Sequence, residues 1–245
     1  CGNTRKFYFK ALRAILNRAN AEGVGSAATY PFGRGGFEVS KLEEATAKRY
    51  LPAAELSKLK STTASNPQCE YARKLFLFSY YCYGISFIDM AMLTAAHIKQ
   101  MEDGDYIVYK RQKIKRQKGV KPISIKITPA IRQLIGNLQA ASPTVDDFLL
   151  PIVTRSGYTG EQLYMHIRTR YSKYQKYLRL LAEELGIDFH LTSYVSRHTA
   201  AMTLQRNHIP REVISQMLGH ADLETTNIYL DSFDNGVINE AAKVL

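Results

Sequence analysis

The sequence predicts a mainly α-helical fold carrying one small antiparallel β-hairpin. Three observations support this. Apolar residues recur at three- and four-residue spacing along most of the 245 positions. Proline starts and glycine stops punctuate those stretches, as at Pro52 and Gly84. Only one pair of β-rich runs, "DYIVYKRQ" and "KPISIKIT", interrupts them, and a basic turn separates the two. With 45% apolar residues the chain can bury a sizeable core.

Taken in order, Phe7, Leu12, Ile15, Leu16 and Ala19 fall at roughly helical spacing over residues 4–21. Arg5, Lys6, Lys10, Arg13 and Arg18 share that stretch with no acid before Glu22, which predicts an amphipathic basic helix. Residues 22–36 hold Gly23, Gly25, Gly33, Gly35, Gly36 and Pro31, marking a linker or extended loop. A domain boundary is therefore placed near residue 40, giving units 1–40 and 41–245. "PAAELSKLK" opens a helix at Pro52, and "NPQCEYARKLFLFSYYCYG" forms another that stops at Gly84. "SFIDMAMLTAAHI" follows closely enough to make a second helix packed on it across a tight turn. The hairpin then spans 105–128, with eight basic residues and no acid between Lys110 and Lys126. Helices are predicted over 129–139, 161–185, 193–207, 211–218 and 222–230. A short one from about Asn235 places Val237, Ile238, Ala241 and Val244 to dock elsewhere or on its own domain. No internal repeat or low-complexity segment is present.

Lys and Arg number 33 against 22 acids, a net charge of +11. That balance favours a polyanionic partner such as nucleic acid, although a solubilising surface accounts for charge alone equally well. The cations fall on three separate segments: the first helix, the hairpin turn, and the helix with Arg168, Arg170, Lys173, Lys176 and Arg179. Gathered on one concave face they would clamp duplex phosphates. Tyr171 and Tyr174 repeat with Leu178, Leu181 and Leu185 at core spacing, so both read as core rather than as a base-stacking platform. Cys1, Cys69 and Cys82 form no CxxC pair and no even framework, which argues against a disulfide scaffold or zinc module and for a reducing compartment. The apolar run 75–96 contains Asp89, Gly84 and several tyrosines, so it suits a buried helix pair and not a membrane span. The first twenty residues lack the continuous apolar core of a secretory signal.

No HExxH, GxGxxG, GxxxxGK[ST] or GxSxG motif is present, which leaves metal hydrolysis, dinucleotide and nucleotide-triphosphate sites unsupported. What remains is polar residues near the C-terminus: Arg197 and His198 in "LTSYVSRHTAAMTLQ", His220 in "QMLGH", and Tyr229. Each alone has an ordinary structural explanation: an ion pair, a cap, a core aromatic with an exposed hydroxyl.

Together they resemble the tyrosine recombinase (phage integrase) family over most of the chain. In that pattern an "R-H" on one helix, an "LGH" about two dozen residues later and a "T-x-x-x-Y" supply an arginine, a histidine and a nucleophile. The resemblance places these at Arg197, His220 and Tyr229, with Thr225 opening the last motif. The family's lysine lies on a β-hairpin within "R-x-K-T", matched here by Arg111 and Lys113, with Ile114 where threonine is usual. "PAAELSKLK" resembles the start of the catalytic domain, and "TRKFYFKALRAILNRANAEG" the last helix of the helical core-binding domain. "ISFIDMAML" is similar to the branch found on mobile elements of gut anaerobes.

Two departures stand out. The first arginine of the family falls in the turn "CYGISFID", where this chain has Tyr83 and Ser86. The second histidine position is Tyr194, which can donate a hydrogen bond but is no base at neutral pH. Arg111, two residues from Lys113 and so predicted on the same strand face, is the expected substitute for the missing arginine. Losing one preorganised charge contact otherwise costs on the order of 3 kcal/mol, or about a hundredfold in rate.

The resemblance implies an enzyme that cleaves and rejoins duplex DNA at specific sites, free as a monomer and tetrameric on paired sites. It also implies a bacterial cytoplasmic, nucleoid-associated location with no membrane partner. Lys110, Lys115, Arg116, Arg5 and Lys6 are the expected DNA contacts. The chemistry needs no cofactor: a tyrosine attacking a phosphodiester conserves the bond energy in a 3′-phosphotyrosine, so neither ATP nor a metal is required. A planar arginine fork stabilises the charge on the non-bridging oxygens, and a lysine on the hairpin protonates the leaving 5′ oxygen. A member of the fold that binds DNA without cutting it is the alternative, given Tyr83 and Ser86. A type IB topoisomerase would need more chain and a clamp region, and an RNA-binding or membrane-surface protein has little beyond charge in its favour.

Overall fold

The structure is a computed structural model that describes residues 2–33, 35–44, 50–220, 226, 227 and 230. The expected helices at 222–230 and from Asn235 lie outside the described residues, apart from Thr226, Asn227 and Leu230. The chain divides into two compact units, Cys1–Ala47 and Lys48–Leu245.

The first unit is built on α1 (Gly2–Ala21). The Asn3 side chain clamps the backbone of Glu44, donating to its carbonyl (2.7 Å) and accepting its N–H (3.2 Å). Lys6 pairs with Glu43, and Phe9 packs on Phe37 and Phe32. The expected apolar face of this helix is not covered within the unit: Phe7, Leu12 and Ile15 are exposed, and Gly2 is the only α1 residue buried. Residues of the glycine-rich stretch form a short 3₁₀ turn at Ala27–Thr29 and a bridge between Phe32 and Phe37.

The second unit is organised around α3 (Pro67–Tyr81), whose Leu75, Phe76 and Phe78 are fully buried. It starts where sequence chemistry requires. The Asn66 side chain accepts the N–H groups of Gln68 (2.8 Å) and Cys69 (3.4 Å), and Pro67 occupies the first turn, where a missing N–H loses nothing. It ends in two consecutive left-handed residues, Tyr83 (φ 57°) and Gly84 (φ 71°). Around it lie α2 (Ala53–Ser61), α5 (Pro129–Ala141), α6 (Gly160–Glu184), α7 (Ser193–Arg206) and α8 (Arg211–Leu218).

The stretch read as a second long helix behaves differently. It forms only α4 (Phe87–Ala91), then a 3₁₀ turn at Ala95–His97 and a strand, β1 (Ile98–Met101). β1 pairs antiparallel with β2 (Gly104–Tyr109), and β2 with β3 (Ile123–Lys126), so the predicted hairpin is part of a three-stranded sheet. Period-two alternation buries Ile107, Tyr109, Ile123 and Ile125 on one face against the helices. β1 was not legible because its segment, "IKQM", is too short and too polar to show alternation. The paired strands end at Tyr109 and Ile123, and residues between them form a turn. No helix among the described residues is long and apolar enough to cross a membrane.

Glu70 illustrates how the core tolerates charge. Burial pushes its carboxyl up, but the Arg73 side chain at 2.7 and 2.8 Å, the Ala64 N–H at 3.0 Å and the charge of Lys74 together outweigh that and hold it below the usual range. Arg73 in turn donates to the carbonyl of Leu59 at 2.8 Å, tying α2 to α3.

Candidate active site

The turn after α3 and the start of α7 touch at backbone distance. A Cβ on Gly84 would sit 2.3 Å from Cα of Arg197, so no larger residue fits this turn. Ser79 reinforces the contact: its hydroxyl donates to the carbonyl of Ile85 (2.8 Å) and lies 2.7 Å from the Ser196 hydroxyl.

Arg197 is thereby held in place, only 4% exposed. Its Nη1 donates to the carbonyl of Gly84 at 3.1 Å, and its Nη2 donates to the carbonyl of Leu218 and lies 2.9 Å from Nε2 of His220. Leu218 closes α8, and Gly219 follows in the left-handed conformation (φ 64°) that turns the chain towards His220. Nδ1 of His220 lies 2.8 Å from Oγ1 of Thr226, a fully buried side chain. Arg111 completes the group with a long contact of 3.5 Å from Nη1 to the carbonyl of Gly219. Three of the expected site residues, Arg197, His220 and Arg111, thus converge on one turn although they are distant in sequence.

A cavity of about 400 Å³ opens beside them, lined among others by Ser86, Arg111, Arg168, Tyr194 and Arg197. Arginines from the sheet turn, α6 and α7 therefore line one cavity, so two of the three basic segments meet. Tyr194 is 51% exposed on this wall, its ring 5.5 Å from that of His198. Of the two α6 tyrosines read as core, Tyr174 is buried and stacks on Phe87 at 5.1 Å, while Tyr171 lines the cavity and is 37% exposed.

Ser86 does not stand in for an arginine. Its hydroxyl caps α4, accepting the N–H of Asp89 (3.3 Å) and donating to Asp89 Oδ2 (2.6 Å). The other oxygen of Asp89 accepts the backbone N–H of Gln112 at 2.7 Å. Asp89 is 3% exposed, so a buried carboxylate ties α4 to the turn that carries Arg111 and Lys113. From the sequence alone Asp89 shows only as a charge too costly for lipid. Beneath it, burial first and the Asp89 carboxylate second push the Tyr109 phenol far up, against Arg197 and Arg111, which pull it down. Tyr109 stays neutral.

The expected placement of Arg111 and Lys113 on one strand face is corrected here. Both lie beyond β2, in the turn, where no ladder imposes a period of two and Asp89 sets the path. Lys113 is exposed, as are Lys110, Lys115 and Arg116. No hydrogen bond or ion pair joins Lys113 to Arg197 or His220 among the described residues. In the first unit Arg5 is exposed, whereas Lys6 is engaged by Glu43. Tyr229 and Thr225 lie outside the described residues. Leu230 is buried with Ala201, Met202, Ile214 and Leu218.

In the N-terminal half of α6, Nε2 of His166 accepts the N–H of Thr154 at 3.2 Å, which requires an unprotonated nitrogen. Burial, then Arg170, Arg155 and Lys173, lower its pKa below the ordinary 6.5. A folded value below the unfolded one means that its contribution to stability is full above 6.5 and is lost as pH falls through the folded value. The His166 ring should titrate by NMR with a midpoint under 6.5, and Arg170→Gln should move that midpoint up.

Residues 49–235 match the phage integrase family. A tyrosine recombinase XerD of Halalkalibacterium halodurans is 43% identical over 54 residues, 22% of this chain and 18% of that protein. XerD of Brucella abortus is 31% identical over 111 residues, 44% of this chain and 32% of the relative, so the matches span a third or less of these relatives' length. Among solved structures, a Tn1549 transposon integrase in complex with a circular intermediate DNA superposes with a TM-score of 0.63 at 13% identity, covering 99% of this chain and 78% of that one. A lambda integrase dimer bound to a COC′ core site gives 0.59 at 15% identity, over 96% and 77% of the two chains. The XerA recombinase gives 0.56 at 21% identity, over 82% and 67%. These likenesses are of fold, and they agree with the mainly helical architecture and small antiparallel sheet. From the matched span and the architecture together, the chain belongs to the phage integrase family.

Proposed function

We propose that this protein is a site-specific DNA recombinase that cleaves and rejoins duplex DNA through a 3′-phosphotyrosine on Tyr229. The observation that supports this best is the meeting of Arg197, His220 and Arg111 at the Leu218–His220 turn, beside an open cavity. In this reading the Tyr229 oxygen attacks phosphorus and the bond to the 5′ oxygen breaks. Lys113, exposed on its turn and free to swing, protonates that leaving oxygen. Arg197 stabilises the non-bridging oxygens, and Tyr194 donates a further hydrogen bond from the second-histidine position. Arg111 takes the part of the first arginine: its reach to Gly219 and its place in the cavity wall support this, while Ser86 is committed to Asp89.

The same reading has the substrate as paired DNA sites, engaged by a tetramer assembled from monomers in a bacterial cytoplasm, near the nucleoid. Lys110, Lys115 and Arg116 would grip phosphates from the sheet turn, and Arg5 and Lys6 from the first unit. That unit is the end of a core-binding domain in this account, with the catalytic domain from about residue 41. The likeness of the "ISFIDMAML" stretch supports a place in the branch on mobile elements of gut anaerobes.

A library of nicked suicide duplexes, resolved on denaturing gels, tests the proposal. The parent protein should become covalently attached to DNA, and Tyr229→Phe should abolish attachment while leaving binding intact. Arg111→Ala should slow attachment about a hundredfold. A rate equal to the parent's would remove Arg111 from the mechanism. Binding with no attachment to any duplex would instead favour a catalytically silent DNA-binding protein, the alternative that Tyr83 and Ser86 raise.

A further inference from the structure

We infer that Thr226 is a positioning residue that fixes His220 as the tautomer protonated on Nδ1. Arginine has donors and no acceptor, so the 2.9 Å contact from Arg197 Nη2 makes Nε2 of His220 an acceptor. A neutral imidazole has one acceptor nitrogen and one donor nitrogen. The proton therefore sits on Nδ1, which points at Oγ1 of Thr226 at 2.8 Å. The other tautomer, or the doubly protonated ring, would set an N–H against the Arg197 N–H. Thr226 is 0% exposed, so in this packed place its hydroxyl oxygen rather than bulk water accepts the Nδ1 proton's hydrogen bond. Arg197 selects the tautomer and Thr226 satisfies it and holds the ring plane.

The consequence for catalysis rests on the proposed function. With its one Nε2 lone pair engaged by Arg197, His220 holds the guanidinium plane that meets the non-bridging oxygens, and the Tyr229 hydroxyl proton leaves to water as its oxygen attacks phosphorus. The ring stays neutral through cleavage and rejoining, with Nδ1–H donated to Thr226. Thr226 would thus act on the rate of cleavage and not on DNA affinity.

The tautomer is read directly from ¹⁵N-labelled histidine in the DNA-free protein, by long-range proton–nitrogen NMR. With six histidines in the chain, the His220 signals are assigned by their loss in His220→Gln. The parent protein and Thr226→Ser should show a protonated Nδ1 and a bare Nε2. Thr226→Val, which keeps the shape without the oxygen, should show mixed or reversed tautomers. On suicide duplexes Thr226→Val should attach about tenfold more slowly at unchanged DNA affinity, with Thr226→Ser restoring the rate. A protonated Nε2 in the parent protein overturns the inference without any variant being needed. So does a Thr226→Val protein with the parent's signals and rate. If no protein attaches to DNA while the NMR signals move as described, the proposed function fails and the tautomer assignment stands.

Discussion

Gly84→Ala is expected to destabilise the catalytic unit by about 3 kcal/mol or more, the range reached when a core is overfilled and cannot relax. The added Cβ would meet Arg197 at its Cα (2.3 Å) and Cβ (2.4 Å), and backbone cannot rotate away as the tip of a long side chain can. The left-handed φ of 71° adds about 1–2 kcal/mol for any residue with a Cβ. Thermal or denaturant unfolding measures the loss, and any folded fraction should be inactive because the turn can no longer reach Arg197. Gly136→Ala is the control. That residue lies within α5 with no atom inside 4 Å of its would-be Cβ, so alanine there should stabilise by about 0.5–1 kcal/mol. A Gly84→Ala protein as stable as the parent would show that the turn and α7 are not in contact.

Arg197→Lys keeps the charge and is nevertheless expected to slow covalent attachment to DNA by about a hundredfold to a thousandfold. The guanidinium reaches the Gly84 carbonyl, the Leu218 carbonyl and His220 at once, from a position 4% exposed. An ammonium group is a single point and cannot span those acceptors in a fixed plane, so both the orientation of His220 and the fork offered to a phosphate are lost. Binding to duplex DNA should change far less, because the proposed phosphate contacts are exposed cations elsewhere. Single-turnover attachment and equilibrium binding, measured on the same duplex, separate the two. Unchanged attachment would rule Arg197 out as the arginine of the site.

What could be read without coordinates followed from local physics. Asn66 before Pro67 supplies a cap and a first-turn proline, Gly219 allows the αL turn that ends a helix, and alternation at Ile123 and Ile125 marks a half-buried strand. Arg197, His220 and Arg111 are singled out by the family resemblance, and the folded chain brings the three side chains to one turn. The errors fell where the chain's path is set by something far away. α4 stops after Ala91 and β1 begins at Ile98 because β2 offers a partner edge, which no propensity of "TAAHIKQM" reports. Arg111 and Lys113 left the strand because Asp89, some twenty residues earlier, captures the N–H of Gln112.

The helical class was legible because it depends on spacing within a turn or two, and the basic character because it depends on composition alone. That Ser86 is committed to Asp89, that Tyr171 faces a cavity while Tyr174 is sealed, and that Thr226 meets Nδ1 of His220 emerges in the folded chain alone. Each of those is a hydrogen bond or a packing contact between segments, and its energy depends on distances that chain closure sets and local spacing does not contain.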